Sequence, residues 1–351
     1  MLLWGILAIL VHLFSYNSTW VERYYSTGVY PYIGIVLRKF NSYIPFSIGD
    51  ILYCFVFLWF FALCIQFFLG LVNRSFTWEG TKEVGIKTLH LFLKVYVVFN
   101  VLWGLNYNRK GIGHQLGLQM DTYSTQDLKE LNEVLLKKVN FSKQITLKQK
   151  DVSTNNKKIF ETAAQAYTKA AKAYPFLYHE NAKSVKKSMW GWLGNYGGFT
   201  GYYNPFTGEA QVNGTIPNFI KKYTTCHEMA HQIGYAKESE ANFVGYLAAS
   251  QSVDTSFQYS VYLDLFLYSN RNLYQFDSTA AKEYATLLIP EVNDDLRIWR
   301  AFLFNYKGPV EPIVRWIYGK YLQRNQQPSG VLSYDEVSSF LIAYMKKYGT
   351  V

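Results

Sequence analysis

The chain has 351 residues, half of them hydrophobic, and its formal net charge is +10. This length suits one large domain or two modest ones. Charged residues make up 17% of the chain, against roughly 25% in an average soluble domain. Only one of the three cysteines, Cys226, lies outside the apolar N-terminal part. A lone thiol allows no internal disulfide there, which argues against a disulfide-stapled secreted domain.

Apolar stretches near the N-terminus predict two or three membrane spans. Residues 51–72 hold no charged side chain, and they are long enough to cross the roughly 30 Å hydrocarbon core of a bilayer. A buried core helix of that length would normally keep a polar face. Residues 2–15 lack a preceding basic residue and a following cleavage site, which favours a short span over a signal peptide. Residues 86–105 are the third candidate, in which Lys94 must face a neighbouring helix or reach the interface.

Two further segments have a distinctive composition. Residues 21–50 are rich in Tyr, Gly and Pro, which predicts an interfacial segment that includes a short amphipathic helix. Residues 137–158 are rich in lysine. No stacking aromatics or glycines are interleaved with these lysines, so the stretch predicts a loop or a solvated face rather than a nucleic-acid site. We therefore expect no nucleic-acid partner.

The chain becomes polar at about residue 106, and its later elements follow from periodicity and turn signals. Apolar residues at helical spacing predict helices over 123–141 and 159–178. Alternating Gly and aromatic residues over 189–213, with turn dipeptides, predict one or two β-hairpins. From Pro217 onward the pattern is mainly helical, with two predicted breaks, near Gly308-Pro309 and Gln327-Pro328.

The most informative motif is H-E-x-x-H, formed by His227, Glu228 and His231. Residues four apart share one face of a helix, so both imidazoles can reach one ion. Glu228 follows the first histidine directly, which places its carboxylate beside the open position of the ion. There it can take a proton from the activated water and pass it to a leaving amine. Small and apolar flanking residues indicate a buried helix, where His and Glu need partners that a metal provides.

The residues after the motif can supply a third ligand. Gly234 is a natural helix terminator that lets the chain reverse. Glu238 then opens a second helical stretch, and the link from His231 is long enough for its carboxylate to return to the ion. Asn242 lies on the same face as Glu238 and can hydrogen-bond the outer nitrogen of a ligand histidine. Glu240 is a rival ligand, although it lies on a different face of that helix.

This stretch resembles the gluzincin zinc peptidases, which combine H-E-x-x-H with a downstream Glu on a second helix. The E-x-x-A-N pattern from Glu238 to Asn242 carries the second half of the resemblance. The resemblance implies Zn²⁺ held by His227, His231 and Glu238, with Glu228 as general base and Asn242 supporting a ligand. Lys237 stands where a metzincin would have its third histidine, which excludes that pattern.

The wider layout resembles an uncharacterised bacterial membrane-anchored family of unknown function. Three segments carry this resemblance beside the apolar N-terminal spans. They are W-G-x-N-Y-x-R at 103–109, Y-Y-N-P-F-T-G-E-A-x-V-N at 202–213, and C-H-E-x-A-H-Q-x-G-Y-A at 226–236. The resemblance covers most of the chain and implies no particular substrate.

Other candidate residues remain less specific. The segment Gly198–Asn213 can offer a sheet edge to a peptide substrate, or it can simply be a hairpin that closes the core. His114 and His179 are expected to be surface or structural residues, and Cys226 a small core residue, rather than ligands. A tyrosine or histidine should stabilise the oxyanion, but thirty tyrosines leave that choice open.

These observations predict an α+β fold, in which N-terminal transmembrane helices are followed by a mainly helical zincin-like domain with a small β-sheet. Residues 1–105 would form the membrane region and residues 106–351 the metallopeptidase domain. The predicted function is Zn²⁺-dependent hydrolysis of a peptide or protein substrate by a multi-pass protein of the bacterial inner membrane. Its partners would be that substrate and the lipid bilayer, and Lys and Arg counts do not assign the side of the catalytic domain.

Two rival functions follow from the same sequence. The first is a non-catalytic membrane sensor or scaffold whose zinc site is structural or vestigial. The intact general base and the open fourth coordination position argue against it. The second is a transporter that uses Lys94 as an intramembrane charge, but two or three spans are few for that function.

Overall fold

The structure is a computed structural model that describes residues 1–73, 77–120, 122–150, 152–179, 182–325 and 334–351. Its N-terminal part contains the predicted apolar helices: α1 (Leu2–Ser15), α4 (Ile48–Val72) and α5 (Trp78–Leu102). Both α4 and α5 are long and apolar enough to cross a membrane. Helix α1 and the helical segment Ser18–Ser42 pass the same test together, but they are bent by 94°. The prediction of two or three candidate spans is therefore confirmed.

The segment between α1 and α4 is helical, but much of it packs against protein. It consists of α2 (Ser18–Trp20), a π-helix (Val21–Val29) and α3 (Tyr30–Ser42). Tyr30 and Arg38 are buried, with exposed fractions of 1% and 4%. Tyr30 belongs to a small hydrophobic cluster with Trp103 and Ala236. The interfacial position that the sequence predicted for this segment stays a prediction, while its buried face joins the apolar helices to the polar part of the chain.

The polar part is mainly helical, as predicted. Its hydrophobic core includes Leu131, Ile159, Met229, Phe243, Leu263 and Leu341, each from a different helix. Short 3-10 helices lie at Gly104–Asn108, Pro175–Leu177 and Ala182–Ser184. The α-helices after α5 are α6 (Gly111–Gln115), α7 (Thr125–Lys148), α8 (Asn156–Ala170), α9 (Gly191–Gly197), α10 (Asn218–Gln232), α11 (Glu238–Ala249), α12 (Thr255–Phe276), α13 (Ser278–Thr286), α14 (Pro290–Asn305), α15 (Val310–Arg324) and α16 (Tyr334–Tyr348).

The small sheet has three strands in the order β1-β3-β2: β1 (Val185–Lys187), β2 (Gly201–Asn204) and β3 (Glu209–Val212). Strand β1 runs parallel to β3, while β2 and β3 form an antiparallel hairpin that pairs Gly201 with Val212. Asn204 shapes the hairpin turn by accepting the backbone N–H groups of Phe206 and Thr207. Among the described residues β2 pairs only with β3, so its other edge forms no backbone hydrogen bonds with a neighbouring strand there.

The glycine-rich stretch before this hairpin is helix α9, where the sequence predicted a possible second hairpin. Of the one or two hairpins that the sequence predicted over 189–213, the described residues form one, β2–β3. The helix ends at Gly198, which has a φ of +75°, a left-handed conformation that glycine adopts without strain. Helix α10 begins after Pro217 and α15 after Pro309, as the turn signals predicted. The predicted break at Gln327-Pro328 lies outside the described residues.

Candidate metal centre and cavity

The side chains of His227, His231 and Glu238 converge at one point. Both histidines lie on α10, and Glu238 is the first residue of α11. His227 Nε2 lies 3.1 Å from Glu238 Oε2, and His231 Nε2 lies 3.7 Å from Glu238 Oε1. One potential ligand atom from each of the three lies within 4.8 Å of the others. Two imidazole nitrogens and a carboxylate oxygen in this arrangement form a possible metal site.

The reversal between α10 and α11 brings these ligands together. Gly234 ends the turn after α10 with a φ of +92°, which favours glycine. A Cβ at this position would also lie 2.8 Å from the ring of Tyr30. Further along, a Cβ at Gly245 would lie 3.1 Å from the backbone nitrogen of His227. Because glycine has no side chain at position 234 or 245, α11 can fold back closely against α10.

The two histidines differ in what holds their rings. His231 Nδ1 lies 2.7 Å from the carbonyl oxygen of Tyr235. A carbonyl can only accept, so Nδ1 of His231 carries the proton and Nε2 is left to face the cluster. Within the described part of the chain, His227 Nδ1 has no hydrogen-bond partner.

Asn242, predicted to support a ligand histidine, makes a different contact in the structure. Its side-chain oxygen accepts a hydrogen bond from the Tyr223 hydroxyl at 3.3 Å. Among the described residues it bonds neither His227 nor His231. The supporting role of Asn242 therefore stays a prediction.

Glu228 is a buried carboxyl group beside the cluster. Burial raises its pKa to about 7, although the neighbouring His227 and His231 act to lower it. Within the described residues, its Oε2 atom has no hydrogen-bond partner. Burial also opposes ionisation of Glu238, but the two histidines hold the pKa of Glu238 well below its usual range. One carboxyl thus stays ionised among the histidines, while the other can exchange a proton near neutral pH.

The rival ligand Glu240 points elsewhere. Its side chain is buried against Gly111, where a Cβ would lie 1.9 Å from Glu240 Oε1. Gly111 has a φ of +80°. Glu240 is absent from the group that can hold a metal ion, so the structure favours Glu238 of the two carboxylates.

A cavity of about 1140 Å³ opens in front of the cluster. Its facing wall comes from α9, β2 and α15. A Cβ at Gly201 on β2 would lie 2.6 Å from Glu228 Oε1, so the strand backbone passes directly beside that carboxylate. The Tyr318 hydroxyl on α15 donates to Glu238 Oε1 at 2.6 Å. Asp264 on α12 also lines the cavity, and burial raises its pKa to about 7.

The ends of the two long apolar helices complete the cavity. Asp50 and Tyr53 of α4, together with Phe99 of α5, line it. The N-terminus of α4 is held by Glu209 of β3, which accepts the backbone N–H groups of Ile48 at 3.1 Å and Gly49 at 2.6 Å. A carboxylate at this end of a helix is favourable because it binds otherwise unpaired N–H groups and matches the helix dipole.

Sequence reasoning missed two of these residues. Tyr318 and Asp264 lie far from the motif in sequence, and no local pattern distinguishes them, whereas Gly201 lies in the segment Gly198–Asn213 that the sequence offered as a sheet edge. The remaining candidates are not part of the cluster: His114 is exposed, while His179 is buried and bonds Gln232 at 2.9 Å. Cys226 is fully buried in the core.

Comparison with known proteins gives one match. The family model described as "Protein of unknown function (DUF3810)" matches residues 25–342, a range that includes the whole cluster and all three strands. No curated protein and no solved structure is significantly similar to the chain. Because the match covers most of its length, the chain belongs to the DUF3810 family.

Proposed function

We propose that this protein is a membrane-anchored, zinc-dependent peptidase. The observation that carries the proposal is the convergence of His227, His231 and Glu238 next to a buried oxygen of Glu228 that has no hydrogen-bond partner in the part of the chain that the structure describes. In this proposal residues 106–351 form the catalytic domain and residues 1–105 anchor it in the bacterial inner membrane. A buried, proton-exchanging carboxyl beside an open metal site is the arrangement that metal-assisted hydrolysis needs.

The donor set fits zinc. Two imidazoles and one carboxylate are a common protein ligand set for catalytic zinc, and they leave a coordination position for water or substrate. His231 is already fixed in the tautomer that offers Nε2 to an ion. When bound, the ion would supply Lewis acidity toward a water molecule and a peptide carbonyl.

Glu228 would act as the general base and then as the general acid. It accepts a proton from the water that attacks the peptide carbonyl carbon. It then gives this proton to the amine nitrogen as the C–N bond breaks. A pKa of about 7 lets one carboxyl perform both transfers near neutral pH.

The facing wall would bind the substrate and stabilise the transition state. The backbone of β2 lies beside Glu228. Among the described residues the edge of β2 away from β3 is unpaired, so it can receive a peptide as an added strand. The Tyr318 hydroxyl donates its single proton to Glu238 in this structure. We propose that it turns this proton to the oxyanion when substrate is bound. Asn242 remains the proposed support for a ligand histidine.

The experiment combines metal analysis with peptide-library turnover on the purified full chain. The variants are Glu228→Gln and, as a matched control, Glu161→Gln, which changes an exposed glutamate on α8. We expect zinc in all three proteins and a loss of turnover of about 10²- to 10⁴-fold in Glu228→Gln alone, because only that variant lacks the proton-transferring group.

Two results would contradict the proposal. Wild-type turnover in the Glu228→Gln variant would overturn the role of Glu228. A zinc-loaded wild-type protein that hydrolyses no peptide in the library would overturn the peptidase function and favour a non-catalytic sensor or scaffold.

A further inference from the structure

An exposed apolar surface borders the cavity on its facing wall. We call it the aromatic rim, and it consists of Trp190, Trp192, Leu193, Ile313, Trp316 and Ile317. Trp192, Ile317 and Trp316 have exposed fractions of 52%, 56% and 65%. The first three rim residues lie at the start of α9 and the last three on α15, and these two helices pack together. An apolar surface of this kind usually marks a binding site for a protein or a membrane.

The rim adjoins the first turn of α4. The backbone N–H of Met189 donates to Asp50 Oδ2 at 2.6 Å, and Trp190 Nε1 donates to the Asp50 carbonyl at 3.4 Å. On the other side, Tyr321 of α15 lines the same cavity as Tyr53 of α4. Helix α4 is a candidate span, and none of the residues in its most apolar stretch is buried inside the protein. If this stretch crosses the bilayer, the first turn of α4 lies at the bilayer surface. Trp190 of the rim and Tyr321, which follows the rim residues on α15, lie near this level.

The composition of the rim suits the headgroup zone of a bilayer. Tryptophan is enriched at membrane interfaces, where its apolar ring and polar N–H are both satisfied. Ile313, Trp316 and Ile317 have the spacing of one helical face, and α15 also carries the cationic Lys320 and Arg324. An apolar helix face next to basic residues is typical of helices that lie in an interface containing anionic lipids.

We propose that the aromatic rim lies in the headgroup zone of the bilayer and that the cavity takes polypeptide substrates that are themselves anchored in the membrane. The rim's membrane contact stands independently, whereas the substrate class rests on the proposed peptidase function. Anchoring confines a substrate to the surface onto which the cavity opens. Its effective concentration at the metal centre then rises without any new contact.

The first experiment measures the depth of the rim. A fluorophore is attached to Ile317→Cys or to the control Val253→Cys, each in a full chain that also carries Cys54→Ala and Cys64→Ala. Val253 is also apolar, and at 74% it is more exposed than Ile317 at 56%. It precedes Asp254, whose carboxylate interacts with Lys222 in the half of α10 away from Trp103. In vesicles of phosphatidylethanolamine and phosphatidylglycerol, nitroxide lipids should quench the label at 317 several-fold more than the label at 253. Equal quenching would overturn the membrane contact of the rim.

The second experiment compares one peptide, chosen from the library, with and without an acyl anchor in the same vesicles. We expect the wild-type protein to cleave the anchored form at least about tenfold faster. The double variant Trp316→Glu/Ile317→Glu should lose this preference and keep its rate on the free peptide, while Val253→Glu should keep both. Equal cleavage of the two forms by the wild type would overturn the substrate class. Cleavage of neither form would contradict the peptidase function, and the quenching result would still decide the position of the rim.

Discussion

The two walls of the cavity differ in burial and in residue composition. The α10–α11 wall carries Glu228, His231 and Asn242, whose side chains are almost completely buried. The facing wall of α9, β2 and α15 is largely aromatic, and residues such as Trp190 and Tyr321 are more than a third exposed. The ionisable groups thus lie on the buried wall, where their positions are fixed and water is largely excluded. The exposed aromatic wall is the one that a molecule entering the cavity contacts first.

The buried wall is also anchored to the N-terminal part of the protein. The Gln232 carbonyl at the end of α10 accepts hydrogen bonds from Arg38 at 2.6 Å and Tyr30 at 2.9 Å. The His231 carbonyl accepts one from Trp103 Nε1 at 3.1 Å. These donors come from α3 and from the end of α5, so the N-terminal part of the chain holds α10 in place.

The largest effect should come from removing a ligand from the buried wall. We expect Glu238→Ala to weaken zinc binding by more than about 100-fold, since changes to residues outside the ligand set already cost 10- to 100-fold. Glu240→Gln alters a buried carboxylate two positions away that faces Gly111, so it should bind zinc like the wild type. Zinc content and competition with a chelator measure zinc binding in the two variants. Equal loss of zinc in the two variants would contradict the assignment of Glu238.

The same contrast explains what the sequence could predict. His227, His231 and Glu238 were identified because helical spacing and a glycine reversal are local properties of the chain. Tyr318 joins the site from α15, eighty residues after Glu238, and only tertiary packing brings the two together. Helix α9 was mistaken for part of a hairpin because glycine-aromatic alternation resembles a strand, while its position depends on the distant Asp50. The facing wall was therefore the part that the sequence could not define.

A smaller effect should follow from adding a methyl group at Gly201, where β2 lies directly against Glu228. In Gly201→Ala the new Cβ would meet Glu228 Oε1 at 2.6 Å and the Gln211 carbonyl at 2.9 Å. Displacing the base or the edge strand by a fraction of an ångström should lower kcat/KM by roughly 100-fold, with zinc content unchanged. Peptide hydrolysis and metal analysis on the same sample measure this.

Gly194→Ala is the matched control for this substitution. Its Cβ would meet only the Phe199 carbonyl at 3.6 Å and other atoms beyond that distance, which is ordinary van der Waals contact. It should therefore keep nearly full activity. If Gly201→Ala were as active as this control, the β2 backbone would not be the surface that positions substrate beside Glu228.

The smallest effect concerns the stability of the buried wall at acidic pH. His179 forms a hydrogen bond with Gln232, the residue after His231. Burial lowers the pKa of His179 from 6.5 to about 3. Between pH 6.5 and about pH 3, His179 binds a proton in the unfolded chain but not in the folded protein. The free energy of unfolding should therefore fall as pH drops below about 6.5, by up to roughly 1.4 kcal/mol per pH unit from this group.

Comparison with His179→Gln isolates this contribution, because all other titrating groups are shared. The amide can still hydrogen-bond Gln232 but carries no titrating proton, so the variant should lose less stability between pH 7 and pH 5. Thermal unfolding of the full chain in detergent measures the difference, which should be a few degrees. Identical pH slopes would mean that His179 is protonated without cost, and that the buried wall is more open to water than its packing indicates.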